Sequence, residues 1–239
     1  MSVAVAVLTG CSHAHSAPPP PPQAHRSTPH RGDRPRAVAH PRTPTRQLLR
    51  IGRPIYCGGG EKPYAALTFD DGPGPYTPLA LRILRHARVA ATFFLVGRNV
   101  EPFRASARRE VSRRATGVRV RLFRPPYEAR NAAVDRTARR LGMVEILWNV
   151  DSGDSEGANY AEIARRVTHG IGNGAIVLMH ENRGQTIRAL KFAILPALRR
   201  RHIHLVTVPE LLARDPPSAA QLRRGPKGCR YRDLRRGGG

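Results

Sequence analysis

Between residues 64 and 213, short apolar runs alternate with segments of helical periodicity, and this alternation narrows the fold class more than any other feature. The predicted strands are 65–69, 92–96, 119–123, 143–149, 175–179 and 203–208. The predicted helices are 78–88, 100–115, 131–141, 159–169, 186–201 and 209–213. Within 186–201, Ile187, Leu190, Ile194, Leu195 and Leu198 recur at the spacing of one helical face. Short strands that are apolar throughout, each followed by a helix, imply parallel pairing with both faces covered. The expected architecture is therefore a parallel sheet or a (β/α) barrel, with chemistry collected beyond the strand C-terminal ends.

The polar residues at those ends form a pattern. The run AALTFDDGPGPYTP, residues 65–78, drives a buried strand straight into Asp70 and Asp71. Adjacent carboxylates oppose each other's ionisation unless a cation sits beside them. A metal ion held by one carboxylate, with the other left as a base, relieves the conflict. Arg124 follows the third predicted strand, Asp151 and Asp154 the fourth, and His180 the fifth. Singly these read as a turn cap, surface charges and a core-edge histidine. Together they supply a base, a cation to orient it and a histidine backed by carboxylate, which suits hydrolysis with release of an amine.

The ends of the chain have another character. Residues 1–11 read as a short lipoprotein-like signal, with SVAVAVLTGC ending in a Cys11 positioned for lipidation. Residues 12–60 are a Pro- and Arg-rich linker containing APPPPPPQ, and residues 215–239 are a basic tail, which leaves the domain itself at 61–214. The histidines of the linker, including His13 and His15, read as solvated. Export leaves Cys57 and Cys229 as an even pair able to join the two ends of the domain. The net charge of +24 is carried almost wholly by arginine, which favours an anionic wall polymer as a partner. No helix-turn-helix, RRM or zinc-finger pattern accompanies that charge, which argues against nucleic acid.

TFDDGP at 68–73, RPPY at 124–127, DSGD at 151–154 and LMH at 178–180 occur in the order of separate family motifs. On these residues, with ATFFLVG at 91–97 and TVPELL at 207–212, the chain resembles the polysaccharide deacetylases, the NodB-homology family of carbohydrate esterases. The resemblance implies a distorted (β/α) barrel and removal of N-acetyl groups from peptidoglycan, chitin or a related envelope glycan. It implies a divalent zinc or cobalt ion held by Asp71 and two histidines, with Asp70 as base and His180 as general acid. Arg124 would steer Asp70, and Asp154, with Asp151, would tune His180. The amide of Tyr127 would hold the oxyanion beside Pro126, and Leu178 would line the acetyl pocket.

The histidine pair is missing. The interval RNVEPFRASARREVSRRATGVRVRLF, residues 98–123, contains none. It is shorter than the family pattern by about one β/α unit, with the seam near Val111 and Ser112. His86, His169, His202 and His204 sit on helices or at the wrong strand end. Glu128 replaces a glycine, Ser155 a tryptophan and Glu181 an aspartate of the pattern. Three readings follow: a deacetylase impaired by the loss, a non-catalytic envelope protein holding anionic wall polymer, or an incomplete copy of an active enzyme.

Overall fold

The structure is a computed structural model that describes residues 3–8, 52–103, 105 and 121–229. Among them a six-stranded sheet runs β1 (Val3–Leu8), β3 (Ala91–Val96), β2 (Tyr64–Gly72), β7 (Ile176–His180), β6 (Val150–Asp151), with β8 (His204–Leu205) pairing to the start of β2. A two-stranded sheet joins β4 (Arg121–Phe123) to β5 (Met143–Glu145), and every pairing is parallel. Ile55 bridges to Ile146 just beyond β5, and β1 runs alongside β4, so the two sheets curve toward one another as an open barrel.

Strand parity builds the interior. Leu67, Phe69, Val177 and Met179 point outward into a core with α1 (Thr77–Ala87) and α2 (Tyr160–Gly170). That core also takes in the paired turns Gly184–Ala189 and Leu195–Arg200. Ala66, Phe94, Leu122, Val144, Ile146, Ile176 and Val206 point inward and form a second core. On the inward face of β2 the order is Ala66, Thr68, Asp70, and on β7 it is Ile176, Leu178, His180. The interior thus passes from apolar to ionisable toward the strand C-terminal ends, because the register pairs Thr68 with Leu178 and Asp70 with His180.

Several elements differ from expectation. The stretch 143–149 is interrupted after Glu145, where the chain pairs with Ile55 before resuming at Val150. Only His204–Leu205 of 203–208 is strand, since Thr207 caps the next helix through its side chain. Helix 186–201 contains a π-helical stretch, Leu190–Ile194, that keeps Leu190, Ile194, Leu195 and Leu198 buried. Residues 119–120, most of helix 100–115, the Val111–Ser112 seam, Cys11 and the linker histidines lie outside the described residues. Val3–Leu8, read as part of a signal, pairs along the whole of β3.

The ends of the domain are fastened. Cys57 and Cys229 form a disulfide with a Cα–Cα separation of 5.8 Å across 172 residues of sequence. Ala219–Arg224, within the stretch read as a basic tail, is a helix closed by a reciprocal Ser218–Gln221 capping box, and it buries Leu222.

Candidate active site

Two buried charge pairs stand side by side at the C-terminal ends of β2 and β7. In the first, Arg124 Nη1 donates to Asp70 Oδ1 at 2.7 Å and to Thr68 Oγ1 at 2.8 Å. Its Nε donates to the Ile146 carbonyl at 3.0 Å and its Nη2 to that of Leu147 at 3.3 Å. The guanidinium also lies 4.2 Å from the ring centre of Phe94 and 5.4 Å from that of Trp148. An arginine only 2% exposed is tolerable because each of these groups accepts a proton or offers a π face. Burial nonetheless pushes the Asp70 carboxyl up, against the pull of Arg124 and His180, and depresses Arg124. A carboxylate raised in this way is a better general base near neutrality.

In the second pair, Asp154 Oδ1 lies 2.7 Å from His180 Nδ1. Its Oδ2 accepts from the His180 backbone N–H at 2.7 Å and from the Thr186 hydroxyl at 2.6 Å. Burial alone would raise Asp154, but the His180 ring, Thr186 and the His180 amide outweigh it and hold the carboxyl below its ordinary value. Burial alone would lower His180, but Asp154, then Asp70 and Asp71, raise it above the ordinary imidazole value. The Asp154 bond therefore favours the protonated ring and leaves Nε2 turned to the mouth, as a proton donor requires.

Asp71 is thrown clear of the strand. The β2–β3 register shifts between Phe69 and Gly72, and Asp71 adopts a φ of 63°, so its carboxylate is exposed while Asp70 stays inside. Asn99 Nδ2 donates to its carbonyl at 2.8 Å, and its Oδ2 stands 3.9 Å from His180 Nε2. Behind this turn the Glu181 carboxylate accepts from the Thr77 hydroxyl, and a side chain at Gly72 would collide with it.

The remaining expected residues fall as follows. Leu178 is buried two residues before His180 on the same face. Tyr127 and Glu128 both adopt left-handed backbone, φ 55° and 53°, in the turn after β4, with the Tyr127 ring fully exposed next to Pro126. Glu128 thus occupies a conformation that glycine takes more readily. Asp151 does not touch His180; its carboxylate accepts from Trp148 Nε1 at 3.0 Å and from the Gly153 amide at 2.8 Å. Thr68, Thr186, Phe94 and Trp148 were missed. Thr68 was open to inference, because it sits two residues before Asp70 on the same strand face.

A zinc or cobalt centre does not fit these residues. Catalytic zinc takes three protein ligands, and among the described residues no group of three His, Cys, Asp or Glu side chains could hold a metal. His180 is engaged through Nδ1, and the interval 98–123 offers only Glu101 and Glu110 as ionised ligands.

Comparison with known proteins agrees with the motif reading. The sequence profile of the polysaccharide deacetylase family matches residues 58–114. A peptidoglycan-N-acetylglucosamine deacetylase of Bacillus cereus is 32% identical over 186 residues, covering 62% of this chain and 87% of that protein. A chitooligosaccharide deacetylase of Bradyrhizobium sp. is 30% identical over 197 residues, covering 61% and 89%. The 186 aligned positions occupy only 62% of a 239-residue chain, so several tens of them face a gap here. Among solved structures, a peptidoglycan N-acetylglucosamine deacetylase superposes with a TM-score of 0.60 at 25% identity, over 66% of this chain and 92% of that one. A CE4 family pseudoenzyme from Bacillus anthracis superposes with a TM-score of 0.57 at 28% identity, over 70% of each chain. By sequence, fold and the two charge pairs at its strand ends, the chain belongs to the polysaccharide deacetylase family.

Proposed function

We propose that the chain is an envelope-glycan deacetylase by descent, in which the proton-transfer groups are assembled and metal-dependent water activation is impaired. The observation that carries this reading is the pairing of Asp70 with Arg124 and His180 with Asp154 beside a lone Asp71. Asp70 would take the proton from the attacking water, steered by Arg124. His180, held protonated by Asp154, would give its proton from Nε2 to the leaving amine. The Tyr127 amide would face the developing oxyanion, and Leu178 would bound the acetyl group. In the family a metal lowers the pKa of the attacking water from 15.7 to about 7. This ligand set does not support that help, so Asp70 alone faces a weak acid and the reaction is slow.

The substrate class rests on relatives named as deacetylases of peptidoglycan and chitooligosaccharide. Export is supported by the Cys57–Cys229 disulfide, since such bonds persist in oxidising compartments. The lack of a three-ligand cluster among the described residues and the charge of +24 favour a second reading, in which the domain holds anionic wall polymer without turnover.

Acetate release from acetylated chito-oligosaccharides tests the proposal. The present chain should be far slower than an intact relative. A version with a family-like segment carrying two histidines four residues apart, inserted between Val111 and Ser112, should gain activity that Asp70→Asn then abolishes. A mutant of the Bacillus anthracis pseudoenzyme has restored enzymatic activity, so such recovery has a counterpart in a related fold. No gain with the insertion, in a protein that binds metal, would refute the assignment of Asp70 and His180.

A further inference from the structure

We propose that the slot between β3 and β4 is a strand-acceptor site, and that residues 3–8 of this chain are its donor strand, standing in for a strand the domain lacks. Three observations meet here. First, Val3–Leu8 pairs in parallel with every residue of β3, from Val3 opposite Ala91 to Leu8 opposite Val96, without a break in register. Second, β1 also lies beside β4, so it stands between the main sheet and the separate β4–β5 pair. Third, β3 and β4 bracket residues 97–120, the interval that the motif spacing marks as short, while the alignments to relatives leave several tens of positions without a counterpart in this chain.

The chemistry of the donor suits the slot. VAVAVL is uncharged, contains no proline or glycine, and alternates valine with alanine or leucine, so its β-branched residues favour an extended strand. The acceptor needs such a partner. Without β1, the run Ala91–Val96, buried over its first five residues, would end the sheet with a row of unpaired backbone groups, the condition that drives association between chains. Residues 9–51 connect donor to acceptor, which makes the strand separable from the body it completes. Cleavage before Cys11 would remove the donor and leave the slot open to a strand from elsewhere.

Because β1 is parallel to β2 and β3, it ends at the same edge of the sheet as Asp70 and Asp71. Occupancy of the slot therefore also sets how closed that end of the barrel is.

Hydrogen exchange measured by mass spectrometry on the full chain tests this. Amides of residues 3–8 should exchange at least about a hundredfold more slowly than those of a free peptide of the same sequence, as expected of sheet hydrogen bonds. Val5→Pro in the full chain should strip protection from residues 3–8 and 91–96 while leaving residues 176–180, in the central strand, protected. That retained protection shows the variant is folded. Dilution should not change the result, since the donor belongs to the same chain. Residues 3–8 exchanging as fast as that free peptide, or 91–96 staying protected in folded Val5→Pro, would overturn the proposal. Protection of 3–8 that disappears on dilution, together with a dimer mass, would overturn the same-chain assignment in favour of a second copy as donor.

Discussion

Replacing Asp154 with Asn removes one charge and disturbs three hydrogen bonds at once. The carboxylate is 1% exposed, so water cannot take over its partners. Its oxygens accept from the His180 ring, the His180 amide and the Thr186 hydroxyl, at 2.7, 2.7 and 2.6 Å. Asparagine keeps one acceptor but must turn its NH2 toward one of these donors. Breaking a buried charge pair costs about 3–5 kcal/mol, and the surviving carbonyl puts Asp154→Asn near the lower end, about 3 kcal/mol. For a domain of this size that is a fall of roughly 6–12 °C in Tm. The same change should weaken proton binding at His180 at least about tenfold, because the main group opposing its burial loses its charge. The pH dependence has a definite sign. The stabilisation from His180, whose folded pKa is raised, is complete below 6.5 and is lost as pH rises through the higher folded value. The stabilisation from Asp154, whose folded pKa is lowered, is complete above 3.8 and is lost as pH falls through the lower folded value. The pair thus contributes fully between those two pH values, and the decline on the alkaline side should flatten in Asp154→Asn. NMR titration of the His180 ring and thermal melts across pH are the assays. An unchanged His180 titration in a variant of unchanged Tm would refute the coupling.

Arg124→Met should cost about 3–5 kcal/mol in urea denaturation, because it leaves Asp70 buried without its counter-charge and orphans the Ile146 and Leu147 carbonyls. The double variant with Asp70→Asn should cost less than the sum of the two single changes, and strict additivity would show that the pair is not coupled. Cys57→Ser should lower Tm by roughly 6–12 °C, equivalent to about 3 kcal/mol, since the bond closes a long loop. Equal melting of wild type with and without reductant would contradict that.

Much of this site was legible because strand parity and motif position are both local. Asp70, Arg124 and His180 each follow an apolar run directly and Asp154 follows one after a short polar turn, so placing them at one mouth needs only the rule that parallel strands end together. Asp151 was harder to place. It shares a motif with Asp154, and only the turn geometry shows Trp148 and Gly153 taking its oxygens. Thr186 was hidden because it reaches Asp154 from the first turn of a helix whose visible signal was its apolar face. The helix at Ala219–Arg224 was obscured by its arginines, although Ser218 and Gln221 already had capping-box spacing. The role of Val3–Leu8 could not be read locally, since an apolar run of that length serves equally as a signal segment or a strand. In the fold the run pairs with a strand some ninety residues away, which no local signal announces.

The account turns on whether a lone Asp71 can hold a metal, and zinc stoichiometry by elemental analysis of the purified, dialysed full chain tests it most directly. Well below one zinc per chain is expected, with no change on Asp71→Ala, because a single carboxylate cannot retain the ion against water. One tightly held zinc per chain, lost on Asp71→Ala, would contradict the account and mean that another residue completes the site.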